Sequence, residues 1–144
     1  MSDAGYRQPD LTLLGEEHVR RYQETNGEVG YLWNGVPTLL ITTTGRKTRL
    51  ARTTPLIFSR DGDDYVVVAS KGGAPSHPNW YVNLTDKPDA EIQVLGEHLR
   101  VRARTASPED KARLWRIVTA QWPNYDVYQS RTEREIPVVV LTPA

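Results

Sequence analysis

The chain has 144 residues with 18 Lys and Arg against 18 Asp and Glu, and a sequence pI near 6.8 argues against a surface devoted to nucleic acid. It contains no cysteine, which excludes disulfides and thiolate metal sites, and His18, His77 and His98 stand too far apart for a metal-ligand motif, so no metal is expected. No run approaches the roughly 18 apolar residues of a membrane span, and the opening residues lack a signal-peptide core; the expectation is a cytoplasmic protein without stable membrane insertion, peripheral contact being left open.

In chain order, residues 1–14 read as a polar tail, and 15–144 as one domain of ordinary size. Gly15 to Glu24 is a short helix burying little beyond Val19 and Tyr22. Val36 to Thr43 and Thr53 to Ser59 are β-branched runs that form a hairpin around Gly45. The turn between them carries Arg46, Lys47, Arg49 and Arg52, while Val29 to Arg60 contains no Asp or Glu. Such a cluster suits a phosphate or carboxylate through charge-assisted hydrogen bonds; a solvated hairpin tip would use the same residues.

Asp61-Gly62-Asp63-Asp64 is a turn before Tyr65 to Ala69, a strand of the kind buried on both faces. Ser70-Lys71-Gly72-Gly73 then forms a loop whose glycines let the backbone approach a ligand while Lys71 supplies charge, although flexible turns share that composition. Two anion-suited loops at the ends of neighbouring strands suggest an elongated acidic ligand. Pro78 opens a helix through Trp80, Tyr81 and Leu84 to about Asp86.

Glu91 to Leu95 and His98 to Thr105 make a second hairpin, with Leu99, Val101 and Ala103 alternating against Arg100, Arg102 and Arg104. Ser107 caps a helix that starts at Pro108 and turns Leu114, Ile117 and Val118 inward. Trp122, Tyr125 and Tyr128 recur at i, i+3 and i+6: a packing stripe, or a tyrosine wall over a planar ligand. Ile136 to Leu141 is the last strand, with Pro137 at its start or on a sheet edge. Hairpin links dominate, so the fold is α+β: a small barrel of about six mostly antiparallel strands with packed helices. Neither G-x-G-x-x-G nor a P-loop is present, and no G-x-S-x-G elbow supports hydrolysis. Any enzyme here would rely on an organic cofactor.

Several ordered blocks carry a resemblance: Thr42-Thr43-Thr44-Gly45-Arg46-Lys47, Arg52-Thr53-Thr54-Pro55-Leu56, Ala69-Ser70-Lys71-Gly72-Gly73, His77-Pro78-Asn79-Trp80-Tyr81-Val82-Asn83-Leu84 and Arg134-Glu135-Ile136-Pro137-Val138-Val139-Val140-Leu141. From Val36 to the C-terminus the chain resembles the deazaflavin-dependent nitroreductase family. The resemblance implies a split β-barrel, coenzyme F420 as cofactor, and hydride transfer from reduced F420 to a quinone, nitroaromatic, nitroimidazole or activated enone. It implies that Arg46, Lys47, Thr48 and Arg52 hold the phosphate and glutamate tail. Thr54, Pro55, Leu56, Ala69, Ser70 and Lys71 would line the ring and linker with Asn79, Trp80 and Asn83. Tyr125 and Tyr128 would close over the ring, and Ser70, Tyr125 and Tyr128 are the candidate proton donors.

The sequence departs from the family at Thr48-Arg49, where Ser-Gly is often found. A flavin-mononucleotide oxidoreductase on the same barrel, or a non-catalytic F420 carrier, would use much the same residues. The partner expected is a small-molecule electron acceptor rather than nucleic acid, and the chain is expected to act as a monomer.

Overall fold

The computed structural model describes residues 6–144, so the first five residues of the expected polar tail lie outside the described residues. Helix α1 spans Gly15–Thr25, followed by strands β1 Leu32–Trp33, β2 Val36–Thr44, β3 Ala51–Ile57, β4 Ser59–Asp61 and β5 Asp64–Val68. A 3-10 turn at Lys71–Gly73 leads to α2 Asn79–Asp86, then β6 Asp89–Val94, β7 Glu97–Thr105, α3 Pro108–Gln121, α4 Asn124–Ser130 and β8 Val138–Pro143. All strand pairs are antiparallel.

The structure differs from the sequence reading in two strands, and the first difference explains the closure. The run read as one strand, Thr53 to Ser59, is part of a longer stretch that bends at Phe58: β3 pairs with β2, while β4 pairs with β5. The path β2-β6-β7-β8-β5-β4 therefore returns to β2 through β3, and the sheet curls into a barrel. Phe58 donates its backbone N–H to Pro37 O at 3.1 Å, so the bend stays hydrogen-bonded to β2. Strand β1 was not expected. Asn34-Gly35, with φ of 51° and 82°, turns it onto β2, and that dipeptide is itself a strong hairpin signal.

Alternation along the strands creates two cores. Leu39, Ile41, Tyr65, Val67, Ile92, Val101, Val139 and Leu141 fill the barrel, joined by Trp80 and Leu84 of α2. Val66, Val68, Val138 and Val140 point outward instead, under Leu114, Val118, Trp122 and Tyr125 of the α3–α4 segment. This explains the unbroken valine runs: β5 and β8 are covered on both faces. Pro137 precedes β8, which pairs with both β5 and β7, so the strand is central rather than an edge. Ser107 Oγ accepts from the Asp110 N–H at 3.3 Å, and Pro108 takes the first helical position, as the cap pattern requires.

Candidate functional site

β3 runs between two neighbouring cavities. The first, of about 580 Å³, is lined by Gly45, Arg46, Lys47, Thr48, Arg52, Thr53 and Thr54 together with Asn79, Trp80 and Asn83 of α2. The second, of about 370 Å³, is bounded by Pro55, Leu56 and Ile57 of the same strand and by Leu14, Gly15, His18, Trp33, Thr38, Val68, Ser70, Lys71, Gly72, Trp122, Tyr125 and Tyr128. The first is cationic, and the second mixes aliphatic side chains with four aromatic rings and the imidazole of His18.

The cationic turn is a closed structure. Arg49 N–H donates to Gly45 O and Gly45 N–H to Leu50 O, both at 2.8 Å, and Leu50 N–H donates to Thr48 Oγ1 at 3.2 Å. Gly45 is required by space: a Cβ there would lie 2.8 Å from Thr48 Oγ1 and 3.1 Å from Leu50 O. Arg49 sits at φ 63°, in the left-handed region that the glycine common at this position occupies freely, so the turn is kept at a cost of about 1 kcal/mol. Its head group leaves the cavity toward Asp86, at 3.7 Å.

Asn83 fixes the other cation. Its Oδ1 accepts from Arg46 N–H at 3.2 Å and Arg46 Nη1 at 2.9 Å, while its Nδ2 donates to Thr43 Oγ1 at 3.2 Å. Arg46, Lys47 and Arg52 meet no carboxylate among the described residues. Three cations gathered around one concavity with no counter-charge repel one another and favour a bound anion.

At the aromatic end, Ser70 to Ala74 forms a tight loop in which Lys71, Gly72 and Gly73 all have positive φ. Gly73 packs under α4, where a Cβ would come within 2.6 Å of Tyr128 O. Arg134, quoted in the sequence only as part of a block, holds this loop. Its Nη2 donates to Ser70 O at 2.7 Å, Nε to Ala74 O at 2.8 Å, and Nη1 to Ala69 O at 3.3 Å and to His77 Nδ1 at 3.0 Å. Burial, and then the neighbouring Arg134 charge, hold His77 below its ordinary pKa, which suits a neutral ring accepting through Nδ1.

Tyr125 and Tyr128 come from α4, with ring centroids 6.1 Å apart and near edge-to-face. Burial, reinforced by Tyr128, pushes the Tyr125 phenol well above its ordinary pKa, so it keeps its proton and can only share it. Trp122 belongs to the packing alternative: it is buried in the outer core against Trp33, at 5.6 Å between rings. The three rings do not share one helix, because α3 ends at Gln121 and α4 begins at Asn124.

Of the residues expected at the site, Arg46, Lys47, Thr48, Arg52, Thr54, Asn79, Trp80 and Asn83 line the first cavity, and Pro55, Leu56, Ser70, Lys71, Tyr125 and Tyr128 line the second. Ala69 lines neither; its side chain is fully buried in the barrel core, and only its carbonyl contributes, through Arg134.

Sequence reasoning missed His18. Helix α1 is rotated so that His18 and Tyr22, not Val19 and Tyr22, form its buried pair, a spacing of i, i+4 that the sequence contained. The end of the expected tail is also engaged. Arg7 N–H donates to Asn124 Oδ1 at 2.7 Å, Asn124 Nδ2 donates back to Arg7 O at 2.8 Å, and Trp33 Nε1 donates to Leu13 O at 2.9 Å.

The pattern of the F420H(2)-dependent quinone reductase family matches residues 14–143. An F420H(2)-dependent quinone reductase of Mycobacterium tuberculosis is 51% identical over 129 residues, covering 87% of each chain. Among solved structures, an F420-H2 dependent reductase aligns with a TM-score of 0.68 and 37% identity over 73% of this chain and 93% of its own. Another, described as a domain-swapped dimer, aligns with a TM-score of 0.70 and 34% identity over 87% of this chain and 94% of its own.

Proposed function

The chain belongs to the F420H(2)-dependent quinone reductase family and is an F420-dependent oxidoreductase, and from that premise we propose that it reduces a quinone in the aromatic cavity with the cofactor lying along β3. The observation that carries this arrangement is continuity: Arg52 to Thr54 line the cationic cavity and Pro55 to Ile57 the aromatic one, on a single strand. The donor set fits coenzyme F420, whose phosphodiester and glutamate tail are acidic and whose deazaflavin is flat.

When bound, the cofactor supplies a hydride; the protein supplies position and protons. Arg46, Lys47, Thr48 and Arg52 would hold the acidic portion, with Asn83 fixing the direction of Arg46. Thr54, Pro55, Leu56, Ser70 and Lys71 would flank the ring, and Asn79 and Trp80 the linker. Ala69 would act only through the carbonyl that helps Arg134 set the loop. Tyr125 and Tyr128 exclude water and offer hydroxyls, as does Ser70, to an oxygen that gains negative charge. Nitroaromatics, nitroimidazoles and enones would enter the same cavity if they present a comparable oxygen.

The test is a fluorescence titration with F420 beside FMN, then hydride transfer from reduced F420 to menadione. Selective F420 binding with turnover is the expected result. Preference for FMN would transfer the site to a flavin, and F420 binding without turnover on any quinone would make the protein a carrier.

A further inference from the structure

We propose that His18 is a catalytic residue of the acceptor site, binding the carbonyl oxygen of the quinone through Nδ1 and giving it the proton that completes reduction; this rests on the reading above. His18 is 3% exposed, and Nε2 lies 2.8 Å from Gly30 O. A carbonyl can only accept, so Nε2 carries a hydrogen in either charge state of the ring, and Nδ1 is the nitrogen that accepts when the ring is neutral and donates when it holds a second proton. Gly30 is shaped to receive the ring: at φ 103°, its Cβ position would lie 2.9 Å from His18 Cδ2.

The other ring nitrogen is what remains. Nδ1 makes no hydrogen bond among the described residues, yet no buried side-chain nitrogen or oxygen there lacks a partner, so Nδ1 reaches open space. The space that His18 borders is the aromatic cavity, opposite Ser70 and the two tyrosines. Here one nitrogen is spent on anchoring, and the second is presented to the position where an acceptor must sit.

The chemistry balances. Reduction of a quinone to its hydroquinone takes one hydride and one proton. The hydride comes from reduced F420, while the imidazolium N–H bond at Nδ1 breaks as the O–H bond of the product forms. The ring is left neutral, still donating to Gly30, and regains its proton from water. The titratable groups facing it are Lys71, Tyr125 and Tyr128 across the cavity and Tyr22 on its own helix, while Glu17 and Arg21 of α1 are exposed.

His18→Gln separates anchoring from catalysis, because the amide of Gln can still donate to Gly30 but cannot deliver a proton from the Nδ1 position. The expected result is unchanged F420 affinity and melting temperature with a fall in kcat with menadione of about 10- to 100-fold. Wild-type kcat in this variant would overturn the proposal. Should His18→Gln fail to fold, nitrogen NMR of the three histidines in wild-type protein decides: the Nδ1 resonance of His18 should move when menadione is added. An unmoved resonance at concentrations of menadione that quench Trp fluorescence would also overturn it. Absence of F420 binding in the wild type would instead defeat the reading above, leaving the menadione shift to decide for His18.

Discussion

The cationic and aromatic cavities share a strand but are assembled in opposite ways. The cationic end takes its charges from one turn, Arg46 to Arg52, and borrows only α2 from elsewhere. The aromatic end draws on α1, β1, β3, the Ser70 loop and α4, segments spread from Leu14 to Tyr128. Charge acts through several ångströms of solvent and tolerates a degree of slack, so a single local turn can recruit an anion. Hydride transfer depends on sub-ångström placement, which requires walls locked by contacts across the whole fold. Substitutions at the first end should therefore change binding, whereas those at the second should change stability, rate or both.

Arg134→Ala should give the largest effect. It removes four hydrogen bonds and leaves partly buried carbonyls of Ala69, Ser70 and Ala74 without that donor, a loss of about 2–4 kcal/mol. Urea unfolding should show an earlier midpoint, and menadione reduction should fall with it. An unchanged midpoint would mean that the loop stands without Arg134 and that the contrast between the ends is overstated.

Next in size are Arg46→Ala and Lys47→Ala. Each should weaken F420 binding by about tenfold at low ionic strength, less as salt screens the site, with the unfolding midpoint and kcat at saturating cofactor retained. Titrations identical to wild type at low salt would remove these residues from the site. Tyr128→Phe should lower turnover by about two- to tenfold with F420 affinity intact, since water and the neighbouring hydroxyls can replace its proton. Complete loss of turnover with binding preserved would instead make Tyr128 indispensable and place the aromatic end under the control of one group.

The smallest change is expected from Arg49→Gly. It relieves a left-handed φ at the expense of an exposed ion pair 3.7 Å long, and the net should be a gain of up to about 1 kcal/mol. Thermal unfolding measures it, and a destabilised variant would show that the pair with Asp86, not the backbone, sets the turn.

The same contrast decides how much could be read from the sequence. The cationic end was legible because like charges without counter-ions are a local signal, visible between Val29 and Arg60. The strands of β5 and β8 were legible because burial on both faces leaves unbroken β-branched runs. The bend at Phe58 was not, since nothing in Thr53 to Ser59 distinguishes a strand that changes partners from one that does not. Arg134 gave no charge-pair signal either: its acceptors are backbone carbonyls about 60 positions away, which every residue has. His18 needed the rotation of α1, a difference of one position that the weak apolar pattern of that helix did not determine.

The run from Ala51 to Asp61 closes the barrel and also floors both cavities. Its weaker half is short, since β4 contributes three residues to the pairing with β5. In the ligand-free protein this seam is where amide hydrogens should exchange first, ahead of β7 and β8. A ligand long enough to touch both ends of β3 ties the seam shut, so cofactor binding and cooperative unfolding are linked through one strand, and saturation with F420 should slow exchange farthest from the ligand, in β4.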